Sequence, residues 1–267
     1  MPVRRNNTKI PLYQVDAFTS EVFKGNPAAV CILDEWLDDV GLQSIAAENN
    51  LSETAFLVKS DEGFEIRWFT PLVEVPLCGH ATLASAFVIF NHLNWPEASV
   101  RIQTRQRGLL TVTQKEGLLE MDFPAMMPST HEIPDGLDNA LGHPPLEVLG
   151  TERQLLTVFA DERTVRELKP DFGLLARYEF GTIVTAPGSQ CDFVSRYFAP
   201  NVGIPEDPVT GSAHCVLVPY WSQRLGKKQL HARQVSKRGG ELFCEDCGER
   251  VSIAGRAVLY LEGTIVV

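Results

Sequence analysis

An internal repeat about half the chain long is the sequence feature that most limits what this chain can fold into. Residues 64–71 read F-E-I-R-W-F-T-P and residues 193–200 read F-V-S-R-Y-F-A-P, an offset of 129. Residues 76–81 read P-L-C-G-H-A and residues 208–213 read P-V-T-G-S-A, an offset of 132. A repeat this long predicts two copies of one folding unit and excludes a solenoid of short repeats.

The repeat also predicts where the two copies meet. The offset of 132 continues beyond these blocks, for example from Gly108 to Gly240, and half of the 267 residues is about 133. We therefore expect a first lobe at residues 1–123 and a second lobe at residues 124–257. An alternative boundary assigns the last strand, about residues 258–267, to the first lobe.

In the first copy, the spacing of apolar residues predicts strands and two helices. An amphipathic stretch at residues 34–49 predicts a helix with Asp34 as its N-cap. Residues 80–91 are apolar nearly all round, which is typical of a buried helix. The predicted strands are residues 13–18, 28–33, 54–58, 64–69, 99–103, 109–114 and 118–123.

The second copy repeats this plan, with helices predicted at residues 162–168 and 212–223, the latter again apolar on most faces. Its predicted strands are residues 155–159, 182–186, 191–198, 234–237, 241–244 and 250–253, followed by a final pair at 258–261 and 265–267. Many strands around one apolar helix predict an α+β fold. We expect two homologous lobes, each a curved, barrel-like sheet wrapped round a central apolar helix.

Each of the two buried helices follows a Pro-x-x-Gly turn, which places Gly79 before the first and Gly211 before the second. Helix N-termini carry unpaired backbone N–H groups and a positive dipole end, so they bind carboxylates well. A glycine there lets an anionic ligand approach the backbone closely. If the lobes face each other across a pseudo-twofold axis, both N-termini point into one cleft. The alternative is that these glycines serve only tight packing.

Five segments in order along nearly the whole chain resemble the signature blocks of the PhzF (phenazine-biosynthesis-like) family. They are Q-V-D-A-F-T-S-E-V-F-K-G-N-P-A-A-V (14–30), N-L-S-E-T-A-F (50–56), R-W-F-T-P-L-V-E-V-P-L-C-G-H-A-T (67–82), G-I-P-E-D-P-V-T-G-S-A-H (203–214) and R-Q-V-S-K-R-G-G-E-L (233–242). The resemblance implies a fold like that of diaminopimelate epimerase, with two lobes and the site between them. It also implies a homodimer.

The same resemblance implies a set of functional residues. Well-studied members of the family isomerise a dihydro-hydroxyanthranilic acid by moving a proton, and they use no cofactor. The matching catalytic positions are Glu53, His80 and Asp207. The matching substrate-binding positions are Ser52, Gly79, Gly211 and Ser212.

These residue types fit a proton shift, in which one group removes a proton and returns it at another carbon. A carboxylate in a poorly hydrated cleft, such as Glu53, has its pKa raised towards the working pH, and a second carboxylate, Asp207, would raise it further. His80 titrates near neutrality and can relay the proton. The alternatives are a polar residue at a strand start for Glu53, a capping or packing residue for His80, and an Asp-Pro turn for Asp207.

Thiol and metal chemistry are disfavoured by the arrangement of the cysteines. Diaminopimelate epimerase uses two cysteines, whereas here Cys78 precedes Gly79 but Thr210 precedes Gly211. We interpret Cys78 as a packing residue. Cys244 and Cys247 form a C-x-x-C without a second pair of ligands, so we expect a hairpin turn there and no metal site. Nucleotide-binding glycine motifs are missing, so no nucleotide cofactor is implied.

Charge and hydropathy limit the kinds of partner that we expect for this chain. The net charge of −10 argues against nucleic acid and anionic membrane surfaces as partners. No stretch reaches eighteen apolar residues, so no membrane span is expected. The first nine residues contain no apolar run of a signal peptide, which with six scattered cysteines predicts a cytoplasmic protein.

Together these features predict a cofactor-independent isomerase that acts on a small carboxylate-bearing metabolite by general acid/base catalysis. The alternatives are a racemase or epimerase of the same fold, and a binding protein that kept the cleft without the chemistry. The sequence does not identify the substrate, and a phenazine precursor is not assumed.

Overall fold

A computed structural model describes residues 8–267 and divides the chain into two compact units. The first unit takes the chain up to Met121 and adds Arg256–Val267, and the second is Asp122–Gly255. The first nine residues, in which the sequence shows no apolar run of a signal peptide, lie mostly outside the described range. Among the described residues, none of the helices combines the length and the hydropathy that a membrane crossing requires.

The described residues of the first unit form two helices, and most of the others are strand. In chain order its elements are β1 (Lys9–Ala17), β2 (Asn26–Leu33), α1 (Asp39–Asn49), β3 (Glu53–Ser60), β4 (Gly63–Phe69), β5 (Glu74–Val75), α2 (Gly79–His92), β6 (Ser99–Thr104) and β7 (Leu109–Lys115). Strand β8 (Leu118–Pro124) crosses the boundary between the units. The last strand of the chain, β18 (Ala257–Val266), belongs to the first unit.

The second unit also combines strands with one long helix, and it has three short helices besides. Its elements are β9 (Ser129–Thr130), α3 (Leu137–Leu141), β10 (Glu147–Gly150), β11 (Gln154–Val158), α4 (Glu162–Glu167), α5 (Phe172–Leu175), β12 (Gly181–Pro187), β13 (Phe193–Ala199), β14 (Ile204–Asp207), α6 (Gly211–Leu225), β15 (Gln229–Gln234), β16 (Gly240–Asp246) and β17 (Arg250–Gly255). A single 3-10 turn, Pro200–Val202, precedes β14.

The two units pair their strands in the same series of parallel and antiparallel steps. In the first unit β1/β2 is antiparallel, β2/β3 parallel, β3/β4 antiparallel, β4/β6 parallel and β6/β7 antiparallel. In the second unit β10/β11, β11/β12, β12/β13, β13/β15 and β15/β16 repeat these five steps. An antiparallel strand, β18 or β9, also flanks β1 or β10. The predicted α+β class with two homologous lobes is confirmed.

The long helix of each unit is buried on nearly all sides. Helix α2 packs against β1, β2, β3, β7 and β18, and every residue from His80 to Ala86 is buried. Helix α6 packs against β15, β16 and β17, and every residue from Ala213 to Ser222 is buried. A helix that is apolar all round avoids water only in such surroundings. The prediction of a central apolar helix in each lobe is confirmed.

A proline inside α6 is compensated by a neighbouring segment. Pro219 has no N–H, so it cannot donate to the carbonyl of Cys215 one turn earlier. The backbone N–H of Met126 donates to that carbonyl instead, at 2.9 Å. The helix therefore keeps its path without a buried, unpaired acceptor.

The predicted start of the first helix is wrong. Helix α1 begins at Asp39, and its N-cap is Asp38, whose carboxylate accepts a 2.7 Å hydrogen bond from the N–H of Gly41. Asp34 directly follows β2, and the residues after it turn the chain before the helix begins. Both residues are aspartates, so the sequence pattern alone could not distinguish them.

The predicted strand at residues 234–237 is also wrong. Strand β15 ends at Gln234, and the next residues turn, with Gly239 at a φ of +69° and its N–H donating to the Ser236 hydroxyl at 3.1 Å. The true strand alternates buried Leu230 and Ala232 with polar residues. Its sequence, Q-L-H-A-R-Q, has only two apolar residues, so the alternation was not recognised.

The predicted final pair of strands is a single strand. Strand β18 is ten residues long and pairs with β1 along its whole length, with one register shift between Gln14 and Val15. Gly263 does not interrupt it, because Gly263 pairs with Leu12 inside the ladder. Glycine is a weak strand former, so the sequence pattern predicted two short strands, one on each side of Gly263.

The C-x-x-C segment lies at the turn between β16 and β17, as the sequence predicts. Gly248 adopts a φ of +85°, which favours glycine, and its N–H donates to Asp246 at 2.9 Å. Cys244 is buried and Cys247 is exposed. The segment is therefore a hairpin turn.

A partly buried arginine–glutamate pair occurs at equivalent places in the two units. Arg67 on β4 donates two hydrogen bonds, at 2.8 and 2.7 Å, to Glu74 on β5. Arg196 on β13 donates two, at 2.7 and 3.0 Å, to Glu206 on β14. Each guanidinium also lies over a phenylalanine ring of its own strand, at 5.0 and 4.9 Å. The sequence repeat showed both arginines, but the glutamate partners emerge only in the fold.

We expect Arg67→Met and Arg196→Met each to lower the free energy of unfolding by about 2–4 kcal/mol, because each leaves a partly buried glutamate without its bidentate partner. Urea titration followed by circular dichroism measures this. Arg101→Met is the control, since its ion pair with Glu62 is exposed and should contribute less than about 1 kcal/mol. Equal effects for buried and exposed arginines would contradict the prediction.

Candidate active site

Two of the three predicted catalytic residues meet in the first unit. Glu53 is the first residue of β3 and His80 is the second residue of α2. Oε2 of Glu53 lies 3.1 Å from Nε2 of His80, and both side chains are about nine-tenths buried. The atoms are at ion-pair distance, although they are not aligned as a hydrogen bond. Such imperfect alignment is common in catalytic pairs without substrate.

The local chain explains why Glu53 lies at this position. Helix α1 ends at Asn50, which adopts the left-handed conformation (φ 49°) and donates its N–H to the carbonyl of Ala46. This C-cap stops the helix and redirects the chain into β3. There Glu53 aligns with Ala28 of the parallel strand β2. The carboxylate is thus fixed at the first position of a central strand.

The charge state of the site follows from its burial and its neighbours. Burial lowers the pKa of His80, but the interactions with Cys78 and Glu53 raise it by more, so it stands well above its ordinary value. Burial and the charge of Glu53 also raise the pKa of the Cys78 thiol. The Cys78 thiol and the Glu53 carboxylate both face the ring, and negative charge beside an imidazole favours its protonated form.

Cys78 packs directly against this pair. It is the N-cap residue of α2, and its Sγ lies 3.5 Å from Nδ1 of His80. The sequence predicted a buried packing residue, and Cys78 is buried, but its contact with His80 was not foreseen. The raised thiol pKa makes it a poor nucleophile at neutral pH.

Asn26 is a residue of the site that the sequence analysis missed. It begins β2 and is fully buried, and its amide nitrogen lies 3.2 Å from Nδ1 of His80. Thus His80 is contacted on one ring nitrogen by Glu53 and on the other by Asn26. The only sequence signal was its place in the family-like block at residues 14–30.

The two other predicted residues of the first unit flank this pair. Ser52 directly precedes Glu53, and Gly79 is the first residue of α2. Both are partly buried. The first N–H groups of a helix have no partner inside the helix and lie at its positive end, so this position suits an anionic group.

Asp207 ends β14, four residues before α6 begins at Gly211. Its carboxylate accepts a short hydrogen bond from the Thr210 hydroxyl. Gln234 fixes this turn from both sides, because its amide donates to the carbonyl of Asp207 at 2.8 Å and accepts from the N–H of Thr210 at 2.9 Å. The sequence missed Gln234, which lies in the family-like block 233–242.

Ser212, the remaining predicted substrate contact, is the second residue of α6. Its hydroxyl lies 3.4 Å from the side-chain amide nitrogen of Gln154, which is 7 % exposed. Gln154 belongs to β11, the counterpart of β2, and Ser212 stands where the first unit has His80. Each unit therefore holds the second residue of its buried helix with a buried amide side chain.

The second unit has no counterpart of Glu53. Thr54 lies opposite Phe69 in the first unit and Thr182 opposite Phe198 in the second, so the equivalent position is Gly181. A Cβ at Gly181 would overlap the hydroxyl of Tyr197. The buried carboxylate–imidazole pair is thus a feature of the first unit.

A metal ion is a second possible occupant of the first-unit cluster. Ligand atoms of Glu53, Cys78 and His80 lie within 4.8 Å of one another, close enough to share one ion. The carboxylate and the imidazole, however, already face each other at 3.1 Å, and the charge of one stabilises the proton on the other. We therefore interpret the cluster as an acid/base site.

With the geometry described, comparison with known proteins identifies the family. The family model described as "Phenazine biosynthesis-like protein" (PhzC-PhzF) matches residues 15–263. The chain belongs to the PhzF family. Two proteins of Pseudomonas aeruginosa, both named uncharacterized isomerases, are 54 % and 53 % identical to it, over 96 % of this chain and 98 % and 99 % of their own lengths.

Solved structures of the family have the same fold. The chain superposes on a PhzF-family protein of Enterococcus faecalis with a TM-score of 0.95 at 48 % identity, covering 97 % of this chain and all of the other. A Clostridium difficile homologue gives 0.91 at 46 % identity with the same coverage. A hydroxyproline epimerase of Agrobacterium vitis, only 10 % identical, gives 0.65 and shares the fold alone.

These comparisons confirm three of the sequence predictions. The family is PhzF, the fold is the epimerase-like one, and the enzyme class is isomerase. They do not test the site residues, which stay predictions. The name of the relatives identifies no substrate.

A second buried histidine, His214 on α6, behaves differently from His80. Burial lowers its pKa to about 4, although its contact with the Thr210 carbonyl, 2.8 Å from Nδ1, raises it slightly. Its ring lies 5.9 Å from that of Phe193. His214 is therefore a neutral core residue at physiological pH.

We expect His214 to make the protein acid-sensitive. Its pKa is about 4 when folded and 6.5 in its ordinary state, so the unfolded chain binds more protons between these values and stability falls as the pH drops from 6.5 to 4. The loss should total about 3 kcal/mol. Urea unfolding between about pH 7.5 and 4.5 should show a steeper fall for the wild type than for His214→Leu. Parallel curves would contradict the prediction.

Proposed function

We propose that this isomerase moves a proton on a small carboxylate-bearing metabolite by general acid/base catalysis, without a cofactor. The observation that carries the proposal is the buried Glu53–His80 contact at 3.1 Å beside the N-terminus of α2. Buried ionisable groups with a perturbed pKa, such as His80, cluster at functional sites. The class of the relatives, which are named isomerases, supports the same reading.

The pair suits a proton shift because its two members hold complementary charge states. Glu53 as a carboxylate can remove a proton from carbon, and His80 as an imidazolium stabilises that carboxylate until the proton arrives. Once Glu53 is protonated, the positive charge of His80 favours return of the proton to a second carbon. One carboxylate thereby serves as base and then as acid, which an isomerisation requires.

The substrate carboxylate is proposed to bind at helix N-termini. Gly79 begins α2 and Gly211 begins α6, and each offers backbone N–H groups to an anion. Ser52 and Ser212 add hydroxyl donors in the two units. Asp207 is proposed as a further acid/base group, held by Thr210 and Gln234.

The contact of Cys78 with His80 favours one alternative, a racemase or epimerase that uses a thiol. The raised pKa of Cys78 argues against it, because a thiol that stays protonated is a weak base. The second unit has Thr210 at the equivalent position, so a two-thiol exchange has no second thiol there. A non-catalytic binding protein is the other alternative. The homodimer, the cytoplasmic location and the absence of nucleic-acid and membrane partners also stay predictions.

Glu53→Gln should reduce proton exchange by at least about 100-fold, because the amide is nearly isosteric with the carboxylate and cannot accept the proton. The measurement is NMR in heavy water with a panel of small cyclic and amino carboxylic acids. Deuterium should enter one carbon with the wild type and not with the variant. Glu62→Gln, at an exposed glutamate, is the matched control.

The outcome separates the proposals. Loss of exchange in Glu53→Gln with an unchanged Glu62→Gln supports the acid/base role. Equal exchange in both variants contradicts the role of Glu53. Binding of a compound without exchange in the wild type would favour the binding-protein alternative.

Cys78→Ala should reduce proton exchange by less than about tenfold, because we assign Cys78 to packing and removal of the thiol leaves Glu53 and His80 in place. The same deuterium measurement, on the substrate that the wild type exchanges, gives the result. A loss as large as that in Glu53→Gln would instead show thiol acid/base chemistry and favour the racemase or epimerase alternative.

A further inference from the structure

The ring nitrogen of His80 that faces away from Glu53 is in contact with a second buried side chain, the amide of Asn26. Nδ1 of His80 lies 3.2 Å from the side-chain nitrogen of Asn26, and Asn26 is 0 % and His80 5 % exposed. The Cys78 thiol also lies near Nδ1, at 3.5 Å, but a thiol is a weak hydrogen-bond partner. The amide is therefore the stronger neighbour of this nitrogen.

We propose that Asn26 is a positioning residue for His80. Its side-chain amide holds the imidazole ring towards Glu53, and it offers a donor when Nδ1 of the ring carries no proton and an acceptor when Nδ1 carries one. The inference rests on the proposed function for its catalytic meaning. Its structural content is independent of any substrate.

The argument follows from the two ends of an amide. An NH2 group donates to a bare Nδ1, which fits a neutral ring, whereas the carbonyl oxygen accepts from a protonated Nδ1, which fits an imidazolium. Rotation of the amide by half a turn exchanges the two. A buried lysine or aspartate in this place would favour one charge state of His80 only.

The backbone around Asn26 is built to keep it there. Gly25 before it has a φ of +62°, and a Cβ at Gly25 would overlap the carbonyl oxygen of Ala17. Asn26 itself is aligned with Ala17 in the β1/β2 ladder, and Pro27 restricts the backbone of Asn26, the residue before it. The turn therefore fixes the backbone that carries the amide, while the amide group is still able to rotate.

The second unit holds its equivalent helix residue with an amide from a different strand position. Gln154 on β11 is 7 % exposed, and its amide nitrogen lies 3.4 Å from the hydroxyl of Ser212, which stands where the first unit has His80. Gln154 is aligned with Gly181 as Ala28 is with Glu53, so its counterpart in the first unit is Ala28 and not Asn26. The contact of Asn26 with His80 is therefore specific to the first unit.

The titratable groups that face His80 are Glu53 from β3 and Cys78 from the residue before α2. A substitution of Asn26 should therefore change the pKa of His80 in addition to the effects of Glu53 and Cys78. A carboxylate at position 26 favours the protonated ring, whereas an apolar side chain leaves a protonated Nδ1 without its acceptor. The two changes should have opposite signs.

The test is an NMR titration of the histidine ring nitrogens, with the His80 signals assigned from their loss in His80→Asn. Asn26→Asp should raise the titration midpoint of His80 by at least one pH unit, a tenfold change in proton affinity. Asn26→Leu should lower it by a similar amount. Gln154→Glu is the matched control and should leave the His80 midpoint unchanged.

Midpoints of His80 that stay equal in all variants, or that shift in one direction for both Asn26→Asp and Asn26→Leu, would overturn the proposal. Thermal melting shows which variants are folded, and Asn26→Ser, whose hydroxyl is too short to reach the ring, replaces Asn26→Leu if that variant does not fold. If Glu53→Gln leaves proton exchange intact, the proposed function fails, and the His80 titration still decides the role of Asn26.

Discussion

The burial of one apolar helix in each unit, on nearly all sides, is the constraint on which the rest of this structure depends. Helix α2 has almost no face for water, so strands surround it, and most of its first turn is buried with it. The first N–H groups of a helix have no partners within the helix, and the end of the helix carries positive potential. Polar side chains beside this helix end are buried, and a buried polar group needs a hydrogen bond or an opposite charge. Glu53, His80 and Asn26 meet at such a point.

The framework occurs twice, and only one copy contains the buried acid–base pair. The strand series, the buried helix and the arginine–glutamate pair occur in both units. At the position of Glu53, however, the second unit has Gly181, where the Tyr197 hydroxyl leaves no space for a side chain. The framework is thus maintained by packing and hydrogen bonds that both copies need, while the titratable pair is a local addition to one of them.

The sequence predicted those features that depend on short-range patterns and on the repeat. The two buried helices were found because they are apolar on nearly all faces, and Glu53 and His80 because they lie in family-like blocks. Features that depend on tertiary partners were missed: Asp38 caps α1 instead of Asp34, and β15 has too few apolar residues to show its alternation. Asn26 and Gln234 are distant in sequence from the residues they hold, so no local pattern could indicate their roles.

An amide beside the helix start explains how one framework can carry two kinds of chemistry. Asn26 and Gln154 each offer a donor and an acceptor, and so can pair with an imidazole or a hydroxyl without changing the backbone. A charged side chain in this buried place would have required an opposite charge at the helix start in both units. Because an amide has no such requirement, it accommodates a histidine after the first glycine of the helix in one unit and a serine there in the other. In the first unit the carboxylate of Glu53, at the start of β3, completes the acid–base pair.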